Sequence, residues 1–341
     1  MLNIYNYNLE DLEKLCIDLG YKKFNAGQIF DWLYKKRITK FSEMTNVKKE
    51  LITYLEENYF LGTLKIIRKQ SDELVAKFLF ELNDGQKIEA VYMNHDYGNS
   101  LCVSSQVGCN MGCSFCESGR LKKVRNLEAA EIVEQILIIE KELNLRITHL
   151  VLMGIGEPFD NYNNVIKFID IINENKGIGL GARHITLSTC GIIPKIKEFT
   201  NYDKQVNLAI SLHAPNNDIR NKIMPINKAY KLEELIKALK DYIIKTNRRV
   251  TFEYIMLKDV NDSLQHATEL ATLLKGMNCY VNLIPYNETS HIEYKKSSKN
   301  QIMKFYDTLK KNKINVTIRK EFGSNVDAAC GQLRSKVEEE K

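Results

Sequence analysis

Three of the eight cysteines in this 341-residue chain stand within eight positions, at Cys109, Cys113 and Cys116. Their spacing is C-x3-C-x2-C, inside the stretch SSQVGCNMGCSFCESG. Structural zinc sites usually close with four ligands, and no fourth cysteine or histidine lies close by. A four-iron cluster takes one thiolate per iron, so three cysteines would leave one iron open. The spacing therefore favours an iron–sulfur cluster, with a three-cysteine zinc site as the alternative.

An open iron can bind a small chelating ligand that carries an amine and a carboxylate. S-Adenosylmethionine has such a group, and an electron passed from the cluster to its sulfonium can break a carbon–sulfur bond. Gly108 and Gly112 flank Cys109 and allow the backbone to wrap closely around an inorganic cluster. These residues predict radical chemistry in which methionine and a 5′-deoxyadenosyl radical are formed.

Composition and charge fit a chain that works in a reducing compartment. The start, MLNIYNYNLEDLEKL, contains no apolar signal segment, and no apolar run approaches the ~18 residues of a membrane span. We therefore expect a cytoplasmic protein in which stable disulfides are rare. The net charge of +6 allows an anionic partner, and basic clusters end at Arg37, Arg125 and Arg249.

The elements that must position the cysteines fall into three parts. Residues 1–62 have helical periodicity and predict a small accessory domain, with a helix that starts after Asn8. Residues 63–100 change to a period of two and predict a β-hairpin extension that turns at Asn83–Gly85. Residues 101–341 alternate strands and helices and predict a parallel (β/α) barrel, closed or partly closed. The fold class is thus α/β, and catalytic groups are expected at the carboxyl ends of the barrel strands.

Several motifs together resemble a known family. The cysteine motif, followed one β/α unit later by GIGEP at 154–158, resembles the radical-SAM superfamily. The chain also resembles the RlmN/Cfr family of RNA adenine methyltransferases. This resemblance rests on Cys102 in LCVSSQVGC, on Cys330 in DAACGQL, and on the segments LSTCGIIP, AISLHAPN, MPINKAY and VNLIPYN between them. The resemblance runs from about Glu89 to Leu333, and the helical front resembles the family's RNA-binding domain. It implies that the substrate is an adenosine in the peptidyl-transferase region of 23S rRNA, with transfer RNA as a second substrate.

The resemblance also implies a route to an electron-poor adenine carbon. Cys330 takes a methyl group from one S-adenosylmethionine, and a second one supplies the radical that activates this methyl group. The activated carbon adds to adenine, Glu89 accepts the ring proton, and Cys102 resolves the protein–RNA adduct through a transient disulfide with Cys330. Independently, the alternation in KIEAVYM places Glu89 on the face of Val91 and Met93.

The same resemblance implies the residues that contact the [4Fe-4S] cluster and the cofactor. Cys109, Cys113 and Cys116 would bind the cluster. Cys16 and Cys279 read as core residues, and Cys190 is also taken as structural. The expected S-adenosylmethionine contacts are Gly156, Glu157, Ser188, Ser211, Leu212, His213 and Asn287.

One residue departs from the pattern that we expect. Glu117 follows the third cluster cysteine, where the family usually has a small residue. The motifs favour the RlmN type, which methylates carbon 2; the alternative is the Cfr type, which methylates carbon 8 and gives ribosomal antibiotic resistance. A non-catalytic iron–sulfur RNA-binding protein and a zinc-stabilised nucleic-acid module are rival hypotheses. We also expect an electron donor such as flavodoxin or ferredoxin. The protein is expected to be a monomer and to have no membrane partner.

Overall fold

The computed structural model describes residues 1–120, 122–289 and 291–319. The first sixty residues are mainly helical, as predicted. Strands β1 (Leu2–Asn3) and β2 (Tyr59–Phe60) pair in parallel and bracket helices α1 (Leu9–Asp18), α2 (Phe24–Asp31) and α3 (Lys49–Asn58). The Asn8 side chain accepts a hydrogen bond from the Asp11 amide at 2.8 Å, and the Asp11 carboxylate accepts one from the Asn8 amide at 3.2 Å. This capping box fixes the predicted start of α1.

Four antiparallel strands follow: β3 (Lys65–Ser71), β4 (Val75–Glu81), β5 (Lys87–His95) and β6 (Gly98–Cys102). The predicted hairpin is confirmed, because β4 and β5 join through a turn in which Gly85 has a φ of 77°. The sequence analysis missed β3, whose residues KIIRKQS lack an apolar face and are mostly exposed. The extension is therefore larger than a hairpin.

The cysteine loop is enclosed by two short strands. Strands β7 (Gln106–Val107) and β8 (Arg125–Asn126) pair in antiparallel fashion and hold the two ends of the loop together. A short helix, α4 (Glu117–Arg120), lies between them, directly after Cys116.

The remaining described chain alternates helices and strands, as predicted. The helices pack their apolar faces against the sheet and are α5 (Ala129–Leu143), α6 (Tyr162–Asn173), α7 (Ile193–Phe199), α8 (Asn217–Ile223), α9 (Leu232–Thr246), α10 (Leu264–Leu273) and α11 (Lys299–Lys311). The strands are β9 (His149–Leu152), β10 (Ile185–Thr189), β11 (Asn207–Ser211), β12 (Val250–Met256), β13 (Cys279–Pro285) and β14 (Val316–Ile318).

One ten-stranded sheet unites both groups of strands, in the order β14-β13-β12-β11-β10-β9-β6-β5-β4-β3. All neighbours from β6 to β14 are parallel, so their carboxyl ends meet at one edge. The described strands do not close into a ring, and residues from β4 to Arg319 line a single cavity. The sheet therefore curves around this cavity as a partial barrel, which matches the predicted fold class.

The main apolar core runs from Ile4 in the helical segment to Val316 in β14 without interruption. Cys16 and Cys279 are buried in it, as expected. Within the described residues, no helix is long and apolar enough to cross a membrane.

Candidate active site

A cavity of about 370 Å³ opens at the carboxyl ends of the parallel strands. Almost all of the predicted site residues that the structure describes line this cavity. Leu212 is the exception, since its side chain is buried in the core and only its backbone faces neighbouring groups. Cys330 lies outside the described residues. The predicted residues that line the cavity are Glu89, Cys102, Cys109, Cys113, Cys116, Gly156, Glu157, Ser188, Ser211, His213 and Asn287.

The three clustered cysteines share one wall of this cavity. Their loop turns at Gly108 and Gly112, with φ values of 76° and 63°, and the Cys116 amide donates to the Cys113 carbonyl at 3.1 Å. Burial, followed by repulsion from the neighbouring thiols, raises the pKa of Cys113 well above its usual value, and burial raises that of Cys109 to about 12. Three converging thiols that resist ionisation in isolation are suited to a cationic iron–sulfur group, which stabilises thiolates.

The number and type of the ligands in the loop suit a cluster. A [4Fe-4S] group takes one thiolate per iron, whereas structural zinc sites usually close with four ligands. The three thiols that line the cavity therefore fit a [4Fe-4S] group with one iron left open.

The GIGEP segment packs against the chain that leads into the cysteine loop. A Cβ at Gly154 would lie 2.6 Å from the Val103 carbonyl oxygen, and one at Gly156, where φ is 111°, would lie 2.7 Å from the Gln106 Cβ. Both positions thus need glycine for a close approach. The Glu157 carboxylate is buried, accepts hydrogen bonds from the amides of Phe159 and Cys190 at 3.0 and 2.8 Å, and fixes the loop. Burial raises the pKa of Glu157 despite these hydrogen bonds.

His213 is held as a neutral hydrogen-bond donor. The residue has a left-handed φ of 57°, and its Nδ1 accepts a hydrogen bond from the Ile255 amide at 3.0 Å. Burial, and then the positive charge of Arg220, lowers the pKa of His213 to about 3. The proton consequently resides on Nε2. The ring edge packs on Phe115 with centroids 4.9 Å apart, which places the imidazole beside the cysteine loop.

Glu89 forms a buried ion pair that the sequence analysis did not foresee. Its Oε2 lies 3.1 Å from the Nζ of Lys77, and the two side chains are only 3% and 1% exposed. Lys77 is opposite Val91 in the β4–β5 register, so Lys77 and Glu89 are diagonal neighbours on the cavity face. Both line the cavity, and the carboxylate is therefore held in a fixed position.

Cys102 stands at the end of β6, directly opposite Val91 of β5. Burial raises the pKa of its thiol, and the positive charge of Arg319 partly offsets this effect. Arg319 and Glu253 also line the cavity and were not predicted. Glu253 accepts a hydrogen bond from Asn282 Nδ2 at 2.8 Å. Glu253 lies inside β12, where it interrupts an apolar run, and Arg319 directly follows β14.

Cys190, which we took as structural, and Glu117, which departs from the family pattern, also line the cavity. Cys190 is buried there, next to the Glu157 carboxylate that its amide contacts. Glu117 is buried at the start of α4 and pairs with Arg120 at 3.1 Å. Burial alone would raise the pKa of Glu117, but Thr289, Arg120 and His291 outweigh burial and lower it. The carboxylate is therefore held in its charged form.

Part of the predicted basic surface is engaged within the protein. Arg37 pairs with Glu140, Lys123 with Asp160 at 2.7 Å, and Arg125 with Asp84 and Glu131. The arginines at the ends of these two clusters, Arg37 and Arg125, are therefore paired with carboxylates of the protein itself.

A parallel β/α sheet that presents a C-x3-C-x2-C loop to a cavity at its carboxyl edge defines a radical-SAM enzyme. The sequence model of the Radical SAM superfamily matches residues 103–271, and that of the ribosomal RNA large subunit methyltransferase N-terminal domain matches residues 2–61. The chain belongs to the RlmN family of radical-SAM RNA methyltransferases.

The relatives that support this membership match almost the whole chain. The probable dual-specificity RNA methyltransferase RlmN of Spiroplasma citri is 55% identical over 342 residues and covers 99% of both chains. The protein of the same name from Acholeplasma laidlawii is 56% identical over 333 residues and covers 97% of this chain and 98% of its own. The crystal structure of a radical SAM methyltransferase from Sphaerobacter thermophilus is 39% identical, with a TM-score of 0.92, and covers 97% of this chain and 99% of its own.

These matches confirm the RlmN type over the Cfr type and exclude both non-catalytic hypotheses. The enzyme methylates RNA, and membership of the radical-SAM superfamily implies a [4Fe-4S] cluster and S-adenosylmethionine as cofactors.

Proposed function

We propose that this enzyme transfers a methyl group to carbon 2 of an adenosine in the peptidyl-transferase region of 23S rRNA, and of an adenosine in transfer RNA. The observation that carries the proposal is a single cavity that brings together the three cysteines of the loop, Cys102 and Glu89. These are the groups that such a reaction requires, and they come from separate parts of the sequence.

In this proposal Cys109, Cys113 and Cys116 hold the cluster. The cluster and S-adenosylmethionine supply a carbon radical when they are bound, and two molecules of S-adenosylmethionine are used in each turnover. The chain's own polar groups orient the cofactor: His213 donates from Nε2, while Ser188, Ser211 and Asn287 offer hydroxyl and amide groups on the same wall. The electron comes from outside, with flavodoxin or ferredoxin as the proposed donor to a monomeric enzyme.

Glu89 is the proposed acceptor of the adenine ring proton. Lys77 keeps its carboxylate in place at 3.1 Å, and burial of the pair keeps bulk water away from it. A fixed carboxylate at the cavity wall can accept a proton without reorganisation. Lys77 acts here as a positioning residue.

Cys330 is the proposed carrier of the methyl group. It lies outside the described residues, but Arg319, eleven positions earlier in the sequence, lines the cavity. Before the resolving step the adduct radical must give up one electron, which the bound cluster would accept. The Cys102 thiolate then attacks the Cys330 sulfur, and the sulfur–carbon bond breaks with its electron pair on the methylene carbon. Glu89 takes the ring proton, and a proton from solvent completes the methyl group. A Cys102–Cys330 disulfide results and needs two electrons and two protons for reduction.

The test combines product mapping with trapping of the adduct. We expect wild-type enzyme with 23S rRNA fragments to give 2-methyladenosine in nucleoside mass spectrometry. Cys102→Ala should stop after carbon–carbon bond formation and accumulate a protein–RNA adduct that survives a denaturing gel. Cys330→Ala should form no adduct, and Cys16→Ala, which changes a core thiol in α1, should behave like the wild type. Methylation at carbon 8, or turnover by Cys330→Ala, would refute the proposal.

A further inference from the structure

Three buried polar atoms without a hydrogen-bond partner cluster on one wall of the cavity. They are Oε1 of Glu117, the hydroxyl of Tyr286 and Oγ1 of Thr289. All three residues line the cavity beside Cys116, and we refer to them as the Glu117 pocket. In the described chain only two other buried side-chain atoms lack a hydrogen-bond partner. They belong to Arg37 and Tyr242, and neither residue lines this cavity.

Such atoms are rare in folded proteins, because each gives up its hydrogen bonds to water on burial. When three of them face one cavity, the missing partner is expected to be a ligand. The Glu117 side chain is only 1% exposed, so it is not simply solvated. The pocket is therefore built to contact a molecule that enters the cavity.

The charge of Glu117 is already balanced by the protein. Its Oε2 accepts a hydrogen bond from Arg120 at 3.1 Å, and the Nδ1 of His291 lies 3.4 Å from Oε1 without the geometry of a hydrogen bond. The Thr289 hydroxyl lies close to both the Glu117 carboxylate and the Tyr286 hydroxyl, yet neither contact has the geometry of a hydrogen bond. The pocket consequently calls for a neutral ligand that donates a hydrogen bond, and not for a second cation.

Adenine has the complementary groups. Its exocyclic amine donates, which suits the carboxylate oxygen, and its adjacent ring nitrogen accepts, which suits a hydroxyl of Tyr286 or Thr289. If the proposed function holds, two adenines enter the cavity: that of the cofactor and that of the target nucleotide. We propose that the Glu117 pocket binds the amine edge of an adenine and selects for the amine.

The test measures binding to the reconstituted holoenzyme and does not depend on turnover. In the first arm, equilibrium dialysis compares S-adenosylmethionine with its purine analogue, which lacks the exocyclic amine. In the second arm, fluorescence anisotropy compares an RNA hairpin that carries adenosine at the target position with one that carries purine riboside there. A hydrogen bond to a charged group predicts a preference of about tenfold for the amine in one of the two arms. That arm identifies which adenine the pocket binds.

Glu117→Ala should abolish this preference, so that both ligands of the arm bind within about twofold of each other. Tyr286→Phe removes one hydroxyl with little change in shape and should reduce the preference, which keeps the test valid if the alanine variant folds poorly. Glu293→Ala alters an exposed acid nearby and should keep the full preference. No preference in either arm of the wild type, or a preference that survives in both pocket variants, would overturn the inference.

The position of the methyl group is mapped separately in wild-type product. Absence of carbon-2 methylation would refute the proposed function, whereas equal affinities with this methylation intact would refute only the adenine contact.

Discussion

Lys77 and Glu89 form a buried ion pair at the wall of the cavity. Each charge is almost fully removed from water, which is costly unless the partner is well placed. Such a pair is not needed for stability, because apolar residues could fill the same space. Its position at the cavity wall agrees with the role that we propose for Glu89, which is to accept a proton from the substrate.

We expect Lys77→Met to lower the free energy of unfolding by about 3–5 kcal/mol, because it leaves the Glu89 charge buried without its counter-ion. The double variant Lys77→Met with Glu89→Gln should recover at least half of this loss, since neither charge is then buried. Urea unfolding monitored by circular dichroism measures both values. As a control, Lys295→Met removes an exposed ion pair with Glu288 and should cost less than about 0.5 kcal/mol. If Lys77→Met and the double variant had equal free energies of unfolding, the loss could not be attributed to the unpaired charge of Glu89.

Single residues differed in how well the sequence revealed them. The cysteine spacing alone predicted the cluster loop, and the alternation in β5 placed Glu89 on the face that lines the cavity. Lys77 was missed because a lysine in a strand usually points to solvent. The hairpin turn at Asn83–Gly85 contained the necessary signal, since counting back from it pairs Lys77 with Val91 and sets Lys77 beside Glu89. Arg319 and Glu253 depend on contacts between distant strands, which no local pattern encodes.

At the level of elements, two loops meet at the cavity because glycine lets their backbones approach. The segment after β9 packs on the chain between β6 and the cysteine loop, through Gly154 and Gly156. Any shift between these loops would move the wall that we propose to bind the cofactor relative to the three cysteines.

Comparing Gly156→Ala with Gly85→Ala separates the effect of backbone strain from the effect of a steric clash between the new methyl group and a neighbouring residue. Both positions have positive φ, at 111° and 77°, so each alanine should cost about 1 kcal/mol in backbone strain. Only at Gly156 would the new methyl group meet a neighbour, Gln106; at Gly85 no atom lies within 4 Å. We expect Gly156→Ala to weaken S-adenosylmethionine binding to the holoenzyme at least tenfold, and Gly85→Ala to leave it within about twofold, as measured by equilibrium dialysis. Similar affinities of the two variants would show that the contact is unimportant.

Most elements could be predicted because their apolar residues repeat with the right period. The start of α1 at Asn8 and the alternation of helices and strands from α5 onward follow from such local signals. Strand β3 has no apolar face, so its pairing with β4 had no local signature. The order of strands in the sheet likewise comes from packing between distant segments.

At the scale of the whole molecule, Glu134 of α5 links the helical segment to the barrel. Its carboxylate accepts hydrogen bonds from Asn3 Nδ2 at 2.6 Å and from the amides of Thr63 and Leu64 at 2.8 and 2.9 Å. These donors lie at both ends of the predicted accessory domain. The boundary near residue 62 stays a prediction, although the shared core indicates that the two parts fold against each other.

We expect Glu134→Ala to lower the free energy of unfolding by about 3 kcal/mol, because it leaves the buried Leu64 amide, the half-buried Thr63 amide and the Asn3 side-chain amide without an acceptor. The junction around residues 62–64 should also become sensitive to limited proteolysis. Glu142→Ala, on the same helix, removes only an exposed pair with Lys69 and should change stability by less than about 0.5 kcal/mol. A stable, protease-resistant Glu134→Ala variant would show that the two parts hold together without this link.

The position of β3 at one end of the sheet has a consequence for behaviour in concentrated solution. An edge strand offers main-chain groups to which another molecule can add its own strand, and growth of this kind leads to aggregates. Here the edge carries Lys65, Arg68 and Lys69, the last of which pairs with Glu142, so two copies that approached along it would bring several basic residues close to each other. The charges that hid this strand from sequence analysis thereby oppose self-association of the folded enzyme.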